Sequence, residues 1–194
     1  MPRHAKRDIL KPNEVEFILN KVEQPHLKAV IVLLYWTGAR INEVLSLKVH
    51  NIYNEGATLF VDIPTLKTEK VKKDEYIHRR CLQFNWDKLP FKQQFAEFIQ
   101  TQNNIKQQND LIWDISRQWV GQILTRISRK YPEECGGQVW CHLFRHTRIQ
   151  LLADKDIRPQ RLRAFTGHKK MQSLEPYLQR SAKRLEFFKD MVDI

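Results

Sequence analysis

The sequence predicts a mainly α-helical domain with a small antiparallel β-hairpin or sheet, an α+β arrangement. Three observations carry this reading. Apolar residues recur at helical spacing over most of the 194 residues, "ATLFVDIP" (57–64) and "VKKDEYIHR" (71–79) interrupt that spacing with β-branched and alternating stretches, and no repeat or linker-like segment divides the chain. With 42% hydrophobic residues the chain can bury one core, so residues 1–194 read as a single domain with a basic tail over 1–10.

The elements follow in order. Asn13 and Glu16 have the spacing of a capping box and open an amphipathic helix through Val15, Phe17, Ile18 and Leu19. A second helix follows Pro25 and carries the apolar run "AVIVLLYW" to Trp36, where Gly38 supplies a stop. A third starts near Arg40, with Ile41, Val44, Leu45 and Leu47 on its apolar face. The two predicted strands flank "TLKTEK", a short loop holding Lys67 and Lys70. Helical spacing then returns over Phe91 to Ile105, Ser116 to Lys130 and Leu143 to Ala153, in a short helix after Pro159, and in two more near the C-terminus. Pro176 disfavours helix at Glu175, which leaves Tyr177 at a helix start or on a mobile segment.

Composition narrows the classes of function. Lys and Arg number 33 against 22 Asp and Glu, a net charge of +11 with pI ≈ 9.7, which favours nucleic acid or an acidic surface as partner. From Cys141 onward there are 12 Lys and Arg against 6 Asp and Glu, so more than half of the excess lies there. The start "MPRHAKRDIL" has no apolar run of a signal peptide, and Cys81, Cys135 and Cys141 form no CxxC pair, so an intracellular, cytoplasmic protein with reduced thiols is expected. "AVIVLLYW" is far shorter than the ~20 residues of a membrane span, so no membrane partner is expected. Cys141 and His142 lack a second ligand pair at metal spacing, so no metal site is expected either.

The chemistry gathers in a few places. "CHLFRHTRI" (141–149) sets His142, Arg145, His146 and Arg148 among Leu143, Phe144 and Ile149, and cations beside apolar residues call for an anion. Arg40 and Glu43 share a helix face, Lys67 sits in the hairpin loop, His168 follows Gly167, and Tyr177 comes nine residues later. Singly, these are an ion pair, a solvated lysine, a helix cap and a packing tyrosine. Together, two guanidinium forks can hold the non-bridging oxygens of a phosphodiester. The imidazoles can exchange protons, a lysine can protonate a leaving oxygen, and a phenol can attack. That set needs no metal and no nucleotide cofactor, and the sequence holds no GxxxxGK[ST] loop.

The order and spacing of these pieces resemble the tyrosine recombinases of the phage integrase family. "TGARINE" (37–43) matches the family's TGxRxxE segment, Lys67 its hairpin lysine, "HLFR" (142–145) its HxxR, Gly167 and His168 its GH, and Tyr177 its tyrosine. The resemblance runs from about Lys11 to the end and implies a catalytic-domain fold without the N-terminal core-binding domain. It implies that Tyr177 attacks a DNA phosphate to give a 3′-phosphotyrosyl link and a free 5′-hydroxyl, with Arg40 and Arg145 holding the phosphate. His142 and His168 would bond the phosphate or move the tyrosine proton, Lys67 (or Lys70) would be the general acid, and Glu43 would orient the network without touching DNA. The family pattern gives His146 and Arg148 no catalytic duty, so these, with Lys70, Lys72, Lys169 and Lys170, are expected to meet backbone phosphate or solvent.

The implied partner is double-stranded DNA, bound by a homotetramer with a dimer per site and helped by accessory DNA-bending proteins, in a prokaryotic cell, phage or mobile element. Residues 182–194, with Leu185, Phe187, Phe188, Met191 and Val192, form a candidate docking helix for a neighbouring subunit or a cover for the chain's own core. Two other functions use the same residues: a type IB topoisomerase-like relaxation of DNA, and a non-cutting DNA-binding regulator derived from an integrase.

Overall fold

The computed structural model describes residues 9–64 and 79–189, and these build a mostly helical domain around one long apolar helix. In chain order the helices are α1 (Pro12–Lys21), α2 (Pro25–Thr37), α3 (Ile41–Leu45), α4 (Lys92–Ile105), α5 (Arg117–Lys130), α6 (Cys141–Ala153), α7 (Pro159–Thr166) and α8 (Glu175–Lys189). Strands β1 (Ile52–Glu55), β2 (Thr58–Pro64) and β3 (Arg79–Asn85) lie between α3 and α4 in an antiparallel sheet of order β1-β2-β3.

Helix α2 is the axle because every residue from Ala29 to Trp36 is buried, which only an element covered on all sides tolerates. It packs against α4 on one side and α6 on the other. Trp36, at its end, meets Phe95 with ring centroids 5.0 Å apart and donates its indole N–H to the Pro90 carbonyl at 2.8 Å. The chain then reverses at Gly38, whose φ of 60° is the left-handed conformation favoured by glycine.

The sheet corrects the predicted strands in two ways. Tyr53 and its neighbours form an edge strand, β1, which the sequence reading passed over, and β3 runs over Arg79–Asn85 rather than ending at Arg79. Its register pairs Ile63 with Arg80 and Val61 with Leu82, so Arg80, Leu82 and Phe84 point to the core side and an arginine enters the interior. The remainder of the second predicted strand (71–78) and Lys67, Lys70 and Lys72 lie outside the described residues.

Two helix starts also differ from expectation. Helix α1 is capped at Lys11 rather than Asn13, with Pro12 at its first position and the Glu14 carboxylate accepting from the Lys11 N–H. Glu175 is helical (φ −48°, ψ −45°), so Pro176 sits in the first turn of α8, where its missing N–H would have had no helical partner. Tyr177 is therefore held on α8 within a small second core of Ile149, Leu152, Ala153, Leu162 and Leu174. Ser181 fastens the next turn by donating to the Ala153 carbonyl at 3.0 Å. At the other terminus Leu10 is buried and its N–H donates to the Thr147 hydroxyl at 2.8 Å, so the end of the expected basic tail is part of the core. The side chains of 183–189 and all of 190–194, on which the docking expectation rests, lie outside the description.

Candidate active site

The site forms where the C-terminal end of α2, the start of α3, strand β3, helix α6, the turn after α7 and the first turn of α8 converge. Its foundation is a carboxylate between two guanidiniums. Arg40 precedes α3, and Glu43, on the first turn, accepts both from the Arg40 backbone N–H and from its Nη1, each at 2.9 Å. Glu43 Oε2, which takes the Arg40 backbone N–H, also accepts from Arg80 Nη2 at 2.8 Å. Glu43 is 1% exposed, whereas the Arg40 side chain is 41% exposed and reaches outward.

Arg80 also donates from Nη1 to the Phe165 carbonyl at 3.0 Å, which ties β3 to α7. Gly167 lies directly over it: a Cβ at this position would come within 2.8 Å of the guanidinium, and the glycine φ is +67°. Glycine at 167 is thus required twice, by backbone conformation and by the arginine beneath it.

Arg145, on α6, is 2% exposed and spans the two glycine turns. Its Nη1 donates to the Gly38 carbonyl at 2.7 Å and its Nη2 to the Thr166 carbonyl at 2.9 Å and to His168 Nε2 at 3.1 Å. The Thr166 hydroxyl spends its hydrogen on the Leu162 carbonyl at 2.8 Å, so at 2.7 Å it accepts from His168 Nδ1–H, and the Nε2 lone pair faces Arg145. Burial and then Arg145 lower the His168 pKa to about 3, and burial followed by Arg145 lowers that of His142, so both rings are neutral at pH 7. Arg145 falls to about 10, chiefly through burial, and stays charged.

Arg40 and Arg80 thus pair with one carboxylate, Glu43, and Arg145 lies within reach of its charge. The charge excess opens onto a cavity of ≈ 430 Å³ lined by Arg40, Arg117, Trp140 and His142 together with Glu43 itself. A shallower groove of ≈ 870 Å³ continues from it along α5 past Gln118, Gln122, Arg126 and Arg129. A separate apolar cavity of ≈ 260 Å³ between β1 and α4 is lined by no carboxylate, imidazole or cation. No group of three His, Cys, Asp or Glu among the described residues could hold a metal, and no described helix is long and apolar enough to cross a membrane.

Tyr177 approaches from the first turn of α8. It is 8% exposed, and its pKa is raised by burial against the opposing pull of Arg145 and Arg180. Its hydroxyl makes a short hydrogen bond to His146 Nδ1, the two rings stack at 5.7 Å, and His142 meets His146 edge-on at 5.6 Å. Gln150, one turn further along α6, donates to the Tyr177 carbonyl at 3.3 Å.

Arg40, Glu43, His142, Arg145, His168 and Tyr177 thus converge, and Lys169 and Lys170 are exposed just after His168. Arg148 departs from expectation. Its stem packs against Gly38 and its guanidinium lies 5.5 Å over the Phe165 ring, because its position on α6 faces the end of α2 rather than open solvent. His146 also departs, since it holds a phenol. Arg80 and Arg117 were missed. Arg80 lies one residue past the predicted strand, and its core-facing position follows from the pairing of β3 with β2; Arg117, at the start of α5, carried no comparable signal.

The family model described as phage integrase family matches residues 8–184. The chain belongs to the phage integrase family. Among solved structures, this family member is similar to the XerH site-specific recombinase in its post-cleavage complex with a palindromic difH substrate (TM-score 0.71, 19% identity, 96% of this chain and 53% of that one). It is also similar to the Tn1549 transposon integrase in complex with transposon right end DNA (TM-score 0.65, 19% identity, 97% and 68%). The catalytic domain of bacteriophage HP1 integrase gives TM-score 0.59 at 14% identity, over 92% of this chain and 90% of that one. The chain spans about half the length of the XerH chains it matches. Comparison with curated proteins returns no match. The mainly helical domain with its small antiparallel sheet is the tyrosine recombinase catalytic-domain fold.

Proposed function

We propose that this integrase-family domain cuts and rejoins double-stranded DNA at specific sites through a 3′-phosphotyrosyl intermediate. The observation that carries the reading is the cluster of Arg40, Arg80 and Arg145 around the single carboxylate Glu43, beside a buried phenol. A site with more guanidinium than its one carboxylate can balance favours a phosphate, and most of all a phosphate whose charge grows as it becomes pentacoordinate.

In this reading Tyr177 Oη bonds to phosphorus and the bond from phosphorus to the 5′-oxygen breaks. Arg40, the exposed member, and Arg145 bind the non-bridging oxygens, while Glu43 and Arg80 hold Arg40 in place. His168, neutral with its Nε2 toward Arg145, orients that guanidinium, and His142 faces the phosphate from the cavity. Lys67 protonates the 5′-oxygen. The phosphotyrosyl link conserves the bond, so a second 5′-hydroxyl reverses the step without ATP or metal. The groove along α5 carries Arg126 and Arg129, which suits duplex backbone. Four copies on two DNA sites, with accessory DNA-bending proteins, complete the proposed assembly.

The test is single-turnover cleavage of nicked duplexes taken from DNA flanking the chain's own gene. The reading expects release of the fragment on the 3′ side of the break with a free 5′-hydroxyl, and retention of the 5′-side fragment of the same strand, through its 3′-phosphate, on denatured protein. Tight, salt-sensitive binding with no retained strand on any duplex would instead support a non-cutting regulator.

A further inference from the structure

We propose that His146 is a catalytic residue of this site, the group that takes the proton from Tyr177 as the phenol attacks. The inference rests on the reading of Tyr177 as nucleophile and adds to it the base, which that reading leaves open.

The geometry singles out His146 among three histidines. His168 has both ring nitrogens engaged, Nδ1 with the Thr166 hydroxyl and Nε2 with Arg145. His142 lines the cavity with Arg40 and Arg117 and meets His146 only edge to ring. His146 Nδ1 is hydrogen-bonded to the Tyr177 hydroxyl, and the stacked rings, 27° from parallel, hold that contact in one orientation. Both side chains are fixed from behind: His146 by its place on α6, and Tyr177 by the apolar cluster of Ile149, Leu162 and Leu174 and by Gln150 on its carbonyl. A phenol kept protonated by burial is the donor in such a contact, so Nδ1 carries the lone pair and Nε2 the hydrogen.

The step balances. As the bond from Tyr177 Oη to phosphorus forms, the phenolic proton passes to His146 Nδ1 and the ring becomes imidazolium. The bond from phosphorus to the 5′-oxygen breaks, and that oxygen takes its proton from a second acid, the role proposed for Lys67. In ligation the 5′-hydroxyl attacks, the phenolate departs, and His146 returns the proton. The imidazolium adds positive charge next to a phenol that already feels Arg145 and Arg180, and a bound DNA phosphate offsets that added charge. Proton transfer is thereby favoured in the bound complex over the free protein.

Two measurements on the full chain test this. The first is the ring ¹⁵N spectrum of the histidines in wild type and Tyr177→Phe. A His146 with Nε2 protonated and an Nδ1 signal that moves on loss of the hydroxyl is expected; a proton on Nδ1 in the free protein would overturn the assignment. The second is single-turnover cleavage, on a nicked duplex the wild type cuts, by His146→Asn and His146→Ala. Asparagine keeps an acceptor near the Nδ1 position but is no base. His146→Asn should bind DNA as wild type does and cut about 100-fold or more slowly, with added imidazole restoring part of the rate to His146→Ala. Cleavage by His146→Asn within a few-fold of wild type would reduce His146 to a positioning residue and sink the proposal. Wild type that forms no adduct at all would remove the nucleophile and the base together, an outcome distinct from an active wild type with an indifferent His146→Asn.

Discussion

Glu43 and Arg80, 37 residues apart in sequence, meet at 2.8 Å in the interior of the domain, and the other oxygen of the same carboxylate holds Arg40 at 2.9 Å. One side chain thereby fixes the strand β3, the start of helix α3 and Arg40, the more exposed of the two guanidiniums it holds.

Removing that carboxylate separates stability from chemistry. Glu43→Ala leaves Arg80, itself 7% exposed, as an uncompensated buried charge, and should cost about 3–5 kcal/mol in denaturant unfolding. Arg40→Ala should cost less than about 1 kcal/mol, because that side chain is 41% exposed, while abolishing strand cleavage. Equal destabilisation by the two substitutions would show that Arg80 is not held as described.

Gly167→Ala is a second stringent case. The left-handed φ and a Cβ at 2.8 Å from the Arg80 guanidinium both oppose any side chain, and backbone strain alone should cost about 1–3 kcal/mol. The paired expectation is displacement of His168, read as a changed histidine ring spectrum; an unshifted spectrum with full stability would contradict the packing.

The predicted helices came through because their apolar residues repeat with the helical period, and Ala29 to Trp36 could only be a buried helix of this length. The sheet was less legible. Tyr53 and Glu55 give β1 a mostly exposed pattern, and the alternation of 71–79 drew the predicted strand away from Arg80, Leu82 and Phe84, whose inward register is set by pairing with β2. In the candidate site, Arg40, His142, Arg145, His168 and Tyr177 were singled out by short-range motifs. His146 was singled out only as a phosphate or solvent contact, because the phenol it meets lies 31 residues away on another helix and only the packing of α6 against α8 joins them.

The buried histidines set a pH dependence. His168 falls from 6.5 to about 3 on folding and His142 also falls, so the unfolded chain takes up protons that the folded one refuses. The stability these neutral rings contribute is complete above about pH 6.5 and is lost as pH falls from there toward about 3. His168→Asn should flatten that decline in denaturant midpoints between pH 7 and 4.5; an unchanged slope would show that the ring is not held neutral.

Arg145→Lys should behave as a severe change. A lysine cannot reach the Gly38 carbonyl, the Thr166 carbonyl and His168 together, so at least one buried acceptor loses its partner at a cost of about 1–3 kcal/mol. Strand cleavage should fall with it, by more than the same substitution at Arg148, whose guanidinium rests on Phe165. Similar losses at the two positions would contradict the roles given to them.

The central claim is that Tyr177 becomes bonded to DNA. The most direct measurement is to trap the protein on a nicked duplex, denature it, digest both components, and identify by mass spectrometry the residue that carries the nucleotide. The account predicts a nucleotide on Tyr177, and no adduct from Tyr177→Phe. A nucleotide on any other residue, or an adduct that survives that substitution, would contradict it.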